Sequence, residues 1–97
     1  MEKQHIQNAM TLNSLRRGSR ARVVEVDHSD ANLVAKFAAR GLVPGAELSI
    51  VKSGDPLLVF IDETRWALSD VEAQKISVET LSNAKESLVS SFKNLWR

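Results

Sequence analysis

The sequence contains no cysteine, and this absence removes several kinds of site at once. A chain without thiols forms no disulfide framework, no zinc–thiolate centre and no iron–sulfur cluster. Long apolar runs are missing too, and none approaches the roughly 18 residues of a transmembrane helix. The first five residues, MEKQH, lack the apolar centre of a signal peptide. These absences favour a cytosolic protein.

Motifs for nucleotide binding and catalysis are also absent, since neither GxxxxGK[ST] nor GxGxxG occurs. The two histidines are His5, in a polar arm, and His28, in a loop. A short segment of the chain contains Asp27, His28 and Asp30. Their carboxylate oxygens and imidazole nitrogens are donor types that bind divalent metal ions. Asp30 is also placed to cap a helix, however, so a solvated loop is the favoured interpretation. We expect no enzyme, no metal site and no cofactor.

Neither sign of charge is in excess, because the chain has 13 basic and 12 acidic residues and a net charge of +1. That balance gives no general argument for nucleic acid. Only two tryptophans and three phenylalanines are available for stacking on bases. One local cluster of basic residues is present, formed by Arg16, Arg17, Arg20 and Arg22. The simpler interpretation is that these charges are solvated, and the alternative is that they form a patch for phosphate or an acidic partner.

Residues 31–45, ANLVAKFAARGLVPG, are the most informative stretch that is present. Asp30 precedes them as a good N-cap, because its carboxylate can accept from the free N–H groups of a first helical turn. Leu33 and Phe37 lie four residues apart and therefore share one helix face. A helix this short is not stable alone in water, so another part of the chain must cover that face.

The same stretch also contains a stop signal and a turn. Gly41 is placed for the left-handed conformation that ends many helices. Pro44 and Gly45 fit the central positions of a type II turn, because proline presets φ and glycine accepts a positive φ. We therefore predict a helix at about 30–40, followed by a turn that leads into a strand.

Five segments have the composition or the two-residue period of β-strands. They are residues 20–27, 47–52, 57–61, 65–68 and 75–79. The run 57–61, LLVFI, is continuously apolar and predicts a strand buried on both faces. Short strands joined by tight turns favour a small closed barrel, because closure removes exposed edges.

Two local patterns refine this prediction. Simple alternation in the first strand places Arg22, Val24 and Val26 on one side. The pattern Ser69-x-x-Glu72 is a capping box, which predicts a single helical turn before the last strand.

The two ends of the chain differ from this barrel. Residues 1–10 are polar and aperiodic, and we expect a disordered arm. Residues 80–97 place Phe92, Trp96 and several leucines at helical spacing, which predicts an amphipathic C-terminal helix. Packing on the barrel is the first interpretation of this helix. Docking on a partner, self-association and lying on a membrane surface are the alternatives.

The order of the motifs resembles the ferrous iron transport protein A (FeoA) family. The matching pieces are LNSLRRG at 12–18, KFAARGLVPG at 36–45, GDPL at 54–57 and ALSDVEAQKISV at 67–78. The chain departs from the family pattern at Lys36-Phe37, where an Arg-Leu pair is usual. It departs again at Ser69, where an arginine usually follows the Ala-Leu pair. Residues 80–97 are an extension beyond the usual end of the family's domain.

The resemblance implies a mainly β fold, an SH3-like barrel at residues 11–79 with the inserted helix and the added C-terminal helix. It also implies a non-enzymatic, cytosolic accessory protein of bacterial ferrous iron uptake. The expected partner is FeoB, a membrane GTPase transporter that carries the nucleotide-binding domain this chain lacks. Similar barrels occur in metal-dependent repressors, so a regulatory module or a nucleic-acid-binding domain is the alternative.

The predicted contact surface follows from the barrel. The turn after the inserted helix should lie at its rim, where an exposed apolar pair would need an explanation. Ordinary core packing is the competing interpretation of the same residues. The predicted partner-binding residues are Arg40, Leu42 and Val43 at the rim, with Phe92 and Trp96 in the tail.

Overall fold

Strands dominate residues 9–82, which are the part of the chain that this computed structural model describes. The elements in chain order are β1 (Ala9–Thr11), a 3₁₀ turn (Leu12–Ser14), β2 (Arg20–Val26), α1 (Ala31–Ala38), β3 (Glu47–Lys52), β4 (Leu57–Ile61), β5 (Thr64–Leu68), α2 (Asp70–Gln74) and β6 (Ile76–Ser82). The prediction of a mainly β fold with an inserted short helix is confirmed.

All six strands belong to one antiparallel sheet with the order β1-β6-β2-β3-β4-β5. β1 was not predicted, because its three residues are recognisable only by their pairing with β6, where Ala9 faces Glu79 and Thr11 faces Ser77. Residues 9 and 10, which were assigned to a disordered arm, therefore form part of the sheet. The rest of that arm, residues 1–8, lies outside the described residues.

The core lies between one face of this sheet and α1. Leu48 and Ile50 of β3 are buried as their alternation predicts, and Leu12 of the 3₁₀ turn is also buried. Phe37 of α1 is completely buried, and Leu33 packs against the same cluster. The apolar face of the short helix is therefore covered by the sheet, which supplies the stabilisation that the isolated helix lacks.

The local signals around α1 are confirmed. One carboxylate oxygen of Asp30 accepts from the N–H groups of Asn32 and Leu33, at 3.1 and 3.2 Å. After the helix, Gly41 has φ of +86°, and the N–H of Leu42 donates to the carbonyl of Phe37 at 2.9 Å. The glycine thus ends α1 by turning the chain back toward the core.

The next turn and the later capping motif are confirmed as well. The N–H of Ala46 donates to the carbonyl of Val43 at 3.0 Å, and Gly45 between them has φ of +93°. In α2, Ser69 and Glu72 form both hydrogen bonds of a capping box.

The prediction for β2 was wrong in its second half. Ala21, Val23 and Val26 are buried, whereas Arg22 and Val24 are only partly buried. The pairing of β2 with β6 shifts register between Val23 and Glu25. A bulge of this kind inserts one residue and so reverses the alternation beyond it.

The prediction for β4 was also wrong, because the strand is buried on one face only. Leu57, Val59 and Ile61 face the core, while Leu58 is half-buried and Phe60 is 40% exposed. Because all five residues of the run are apolar, the sequence shows no alternation of apolar and polar residues, although the strand has one buried and one solvated face.

β6 continues three residues beyond the predicted boundary of the barrel. Thr80 pairs with Ala21 and Ser82 pairs with Arg20. Residues 80–82 are therefore strand, and assigning them to the C-terminal helix was wrong. The remainder of that predicted helix, with Phe92 and Trp96, lies outside the described residues.

Candidate functional site

The end of α1 lies against the hairpin that joins β4 to β5. The hairpin turns through Asp62 and Glu63, whose φ values are +51° and +64°, as a two-residue type I′ turn requires. A Cβ atom at Gly41 would lie 2.8 Å from a carboxylate oxygen of Asp62 and 3.2 Å from Cγ2 of Ile61. Glycine at this position therefore lets the helix end approach the hairpin closely.

Arg40 connects the two elements through an aromatic contact. Its guanidinium carbon lies 5.1 Å from the centre of the Trp66 ring, a distance at which a cation is attracted to the ring face. The Nη1 atom of Arg40 is buried, and no atom of residues 9–82 accepts a hydrogen bond from it. A buried donor without an acceptor costs about 1–3 kcal/mol, which offsets part of the attraction between Arg40 and the Trp66 ring.

Val43 lies in the turn just after Arg40 and is 40% exposed. We call the surface formed by Arg40, Val43 and Trp66 the helix-end rim. Leu42, which was predicted to be exposed beside Val43, is only 1% exposed and belongs to the core. That prediction was wrong because the turn at Gly41 returns the chain toward Phe37 and directs Leu42 inward.

An ion pair lies next to the rim. Nζ of Lys36 in α1 donates to a carboxylate oxygen of Glu72 in α2 at 2.6 Å. The other carboxylate oxygen of Glu72 accepts from the N–H of Ser69 at 3.0 Å. These two bonds, with the nearby charge of Arg40, lower the pKa of Glu72 below the usual range of a glutamate. Lys36 therefore joins the two helices, and Arg40 remains available at the rim.

Two of the four arginines in the basic cluster are paired with carboxylates. Arg20 lies 3.1 Å from a carboxylate oxygen of Glu47, and Arg22 lies 3.3 Å from Glu47 and 3.0 Å from Glu79. The hydrogen bonds to Glu79 and Glu47 raise the pKa of Arg22. The two arginines on β2 are thus paired with carboxylates, and Arg16 and Arg17 are exposed before the strand.

The residues considered as metal ligands have other partners. Asp27 accepts from the N–H and the hydroxyl of Ser29, at 3.0 and 2.8 Å, and these bonds lower the pKa of Asp27. His28 lies 3.4 Å from Glu25, and Asp30 caps α1. Within residues 9–82 no three histidine, aspartate or glutamate side chains are grouped so that they could hold a metal ion.

Trp66 was not predicted as a residue of the rim. The period of β5 correctly placed it with Leu68 on the inner side of the sheet, but no local signal connects it with Arg40, and β3 and β4 separate the two residues in the chain. The contact depends on where the segment after α1 lies against the hairpin, which is a property of the folded chain.

None of the helices described in residues 9–82 has the length and apolar character required to cross a bilayer.

Comparisons with known proteins agree on one domain family. The FeoA domain matches residues 10–80. No curated protein sequence matches the chain significantly. Among solved structures, FeoA of Stenotrophomonas maltophilia, described as an SH3 domain protein and crystallised with zinc, is 33% identical with a TM-score of 0.65. The match covers 72% of this chain and 89% of that chain.

Two further structures are similar over the same part of the chain. Iron(II) transport protein A from Clostridium thermocellum is 33% identical with a TM-score of 0.69, covering 74% of this chain and 46% of that chain. A manganese-dependent transcriptional repressor is 25% identical with a TM-score of 0.71, covering 75% of this chain but only 41% of the repressor. These likenesses show that the sheet and α1 form an SH3-like fold.

Proposed function

Because the chain belongs to the FeoA domain family, which matches residues 10–80, we propose that it is a non-enzymatic accessory protein of bacterial ferrous iron uptake. In this proposal it acts in the cytoplasm by contact with the cytosolic part of a FeoB-like membrane GTPase transporter. The family itself is linked to ferrous iron transport, since its solved members bear the names iron uptake regulatory protein and iron(II) transport protein A.

The observation that carries the proposed contact is the helix-end rim. Val43 exposes an apolar side chain three residues after Arg40, which is partly buried and whose guanidinium lies over the Trp66 ring. A partner that covers Val43 and offers an oxygen to the accessible part of this guanidinium would gain buried apolar area and a charge-assisted hydrogen bond, and both favour association. The Trp66 ring restrains the position of the Arg40 guanidinium before the partner binds.

We propose a second contact through the tail. Residues 83–97 carry Phe92 and Trp96 at the spacing of an amphipathic helix. Binding of this segment to the same partner would add affinity through effective concentration, whereas self-association through the segment would instead give a dimer.

The contact is tested by capture of the chain on the purified cytosolic domain of the transporter. Val43→Asp should weaken binding at least about tenfold, since a carboxylate would be buried in an apolar contact. Val71→Asp is the matched control, because Val71 is a 64% exposed valine on α2 outside the rim. Equal binding by these two variants would contradict the rim as the contact surface.

Truncation after Ser82 tests the tail without cutting β6. We expect weaker capture with an unchanged melting temperature if the tail is a second contact. Unchanged capture would exclude a tail contact with the transporter, and sedimentation of the two chains would show whether the tail drives self-association.

A regulatory or nucleic-acid-binding module is the second candidate. The observation that favours it is the similarity to a transcriptional repressor at a TM-score of 0.71. Titration of a fluorescent duplex oligonucleotide at low salt tests it, and Arg17→Gln should then reduce binding. An absence of binding at low salt would end this candidate.

A further inference from the structure

Phe60 lies in the middle of β4 on the side of the sheet that faces away from the core, and it is 40% exposed. The alternate residues Leu57, Val59 and Ile61 fill the core face of the same strand. Phe60 adds little to the core from this side of the sheet, and whether it belongs to a larger apolar patch depends on its neighbours.

Strand pairing identifies the neighbours of Phe60. It faces Arg65 on β5 and Ser49 on β3. In the adjacent row, Leu58 faces Ala67 on β5 and Lys52 on β3. Directly paired residues share a face of the sheet, with Cβ atoms about 4.5–5.5 Å apart. We call the surface formed by Lys52, Leu58, Phe60, Arg65 and Ala67 the outer-face patch.

The patch combines an apolar centre with two cations at opposite corners. Leu58, Phe60 and Ala67 form the centre, while Lys52 on β3 and Arg65 on β5 are both exposed. Within residues 9–82 no carboxylate lies within 4.0 Å of either cation, whereas those residues do pair the arginines of β2 with carboxylates. The charge of the patch is therefore uncompensated by the described part of the chain.

Charge complementarity decides what fits this surface. The tail at 83–97 contains three basic residues and one glutamate, so it would place like charges against the patch. A second copy that met the patch through a twofold axis would also oppose lysine and arginine with themselves. A single aromatic side chain gives no series of stacking platforms for a nucleic-acid strand.

We propose that the outer-face patch binds a segment of a partner protein that has an apolar centre flanked by acidic residues. The apolar side chains would cover Phe60 and Leu58, and the carboxylates would pair with Lys52 and Arg65. This surface is separate from the helix-end rim, because Trp66 faces the inner side of β5 while Arg65 faces the outer side. The proposal therefore stands independently of the transporter contact.

The test uses the full chain and a synthetic peptide in which Leu-Phe-Leu is flanked by three glutamates on each side. Fluorescence anisotropy measures its affinity, and amide chemical shifts locate it. We expect saturable binding with shifts in β4 and β5, and an affinity at least about tenfold lower for a peptide with glutamines in place of the glutamates. Raising the salt from about 0.05 to about 0.5 M should also weaken binding, because these charges are exposed.

Variants connect the binding to named residues. Phe60→Ser and Arg65→Gln should each lower the affinity at least about tenfold, while Val43→Ser, which changes only the helix-end rim, should leave it unchanged. Circular dichroism checks that each variant is folded. If Phe60→Ser does not fold, the affinity of Arg65→Gln alone tests the proposal. No saturable binding by the wild-type chain, or equal binding of the glutamine peptide, would overturn the proposal. Tighter binding of single-stranded DNA or anionic vesicles than of the peptide would overturn it as well.

Discussion

Lys36 and Glu72 lie 36 positions apart in the chain and meet at 2.6 Å, where they join the last turn of α1 to α2. The same glutamate completes the capping box of α2 through the N–H of Ser69. One carboxylate therefore stabilises the start of α2 and holds α1 against it. A single ammonium group suffices here, because one oxygen of Glu72 already serves the cap.

Substitutions of Glu72 should separate its two structural contacts, the ion pair with Lys36 and the cap of α2. Glu72→Gln removes the ion pair and keeps an oxygen for Ser69, so we expect a loss of about 0.5–1 kcal/mol in the free energy of unfolding. Glu72→Ala removes the cap contact too, which should cost about 1 kcal/mol more. Urea unfolding at pH 7 of the two variants and the wild-type chain provides the comparison.

The ion-pair contribution should depend on pH. The folded chain has a lowered pKa for Glu72 because Lys36 and then Ser69 stabilise its charged form. The contribution is therefore fully present above the unfolded value of about 4.3 and is lost as the pH falls through the lower folded pKa. The difference between the wild-type chain and Glu72→Gln should shrink between pH 7 and pH 3. A difference that stays constant over this range would contradict the assignment.

Alanine substitutions at Gly41 and Gly45 allow the cost of a positive φ to be compared with the cost of a close contact. Both have positive φ, +86° and +93°, but a Cβ at Gly41 would meet Asp62 and Ile61, whereas no atom of residues 9–82 lies within 4 Å of one at Gly45. Gly45→Ala should cost about 1–2 kcal/mol, the penalty for a left-handed L-residue. Gly41→Ala should cost somewhat more, since the Asp62 carboxylate must rotate away and the Ile61 side chain must shift slightly. Thermal unfolding of both variants tests this order, and equal losses would show that the close approach is not important.

The parts of the fold that the sequence predicted correctly depend on local chemistry. Asp30, Gly41 and the capping box at Ser69 each act within four residues, so their patterns are visible without the tertiary structure. The bulge in β2 was not predictable in this way, because it is defined by pairing with β6. β1 was missed for the same reason.

The candidate site was only partly predictable. Arg40 and Val43 were identified from the turn that ends α1, but Leu42 was assigned to the surface although it fills the core. Whether a residue after a left-handed glycine points inward depends on the exact path of the turn. The contact of Arg40 with Trp66 joins residues 26 positions apart, and no short sequence pattern predicts such a contact.

Leu42 and Val43 are adjacent, yet they should respond differently to truncation. Leu42 is fully packed, so Leu42→Ala should lower the free energy of unfolding by about 2–5 kcal/mol. Val43→Ala should stay within about 0.5 kcal/mol, since its side chain is 40% exposed. Denaturant unfolding measures both values. Similar losses at the two positions would contradict the assignment of Leu42 to the core and of Val43 to the surface.

Arg40→Met should separate stability from binding. Methionine keeps an unbranched stem and removes both the cation over Trp66 and the buried Nη1 donor, for which residues 9–82 provide no acceptor. The lost cation–ring attraction, about 0.5–2 kcal/mol depending on how far the cation is desolvated, is similar to the cost of that donor, about 1–3 kcal/mol. We therefore expect the free energy of unfolding of the variant to stay within about 1–2 kcal/mol of the wild-type value.

Binding to the transporter's cytosolic domain should weaken by at least about tenfold, because the partner's oxygen would lose its donor. Arg40→Lys is the control that keeps the charge but not the planar group, and it should recover only part of the affinity. Unfolding curves and capture assays on the same preparations test both effects together. A large loss of stability with unchanged capture would show that Arg40 is a structural residue, and the helix-end rim would then not be the docking surface.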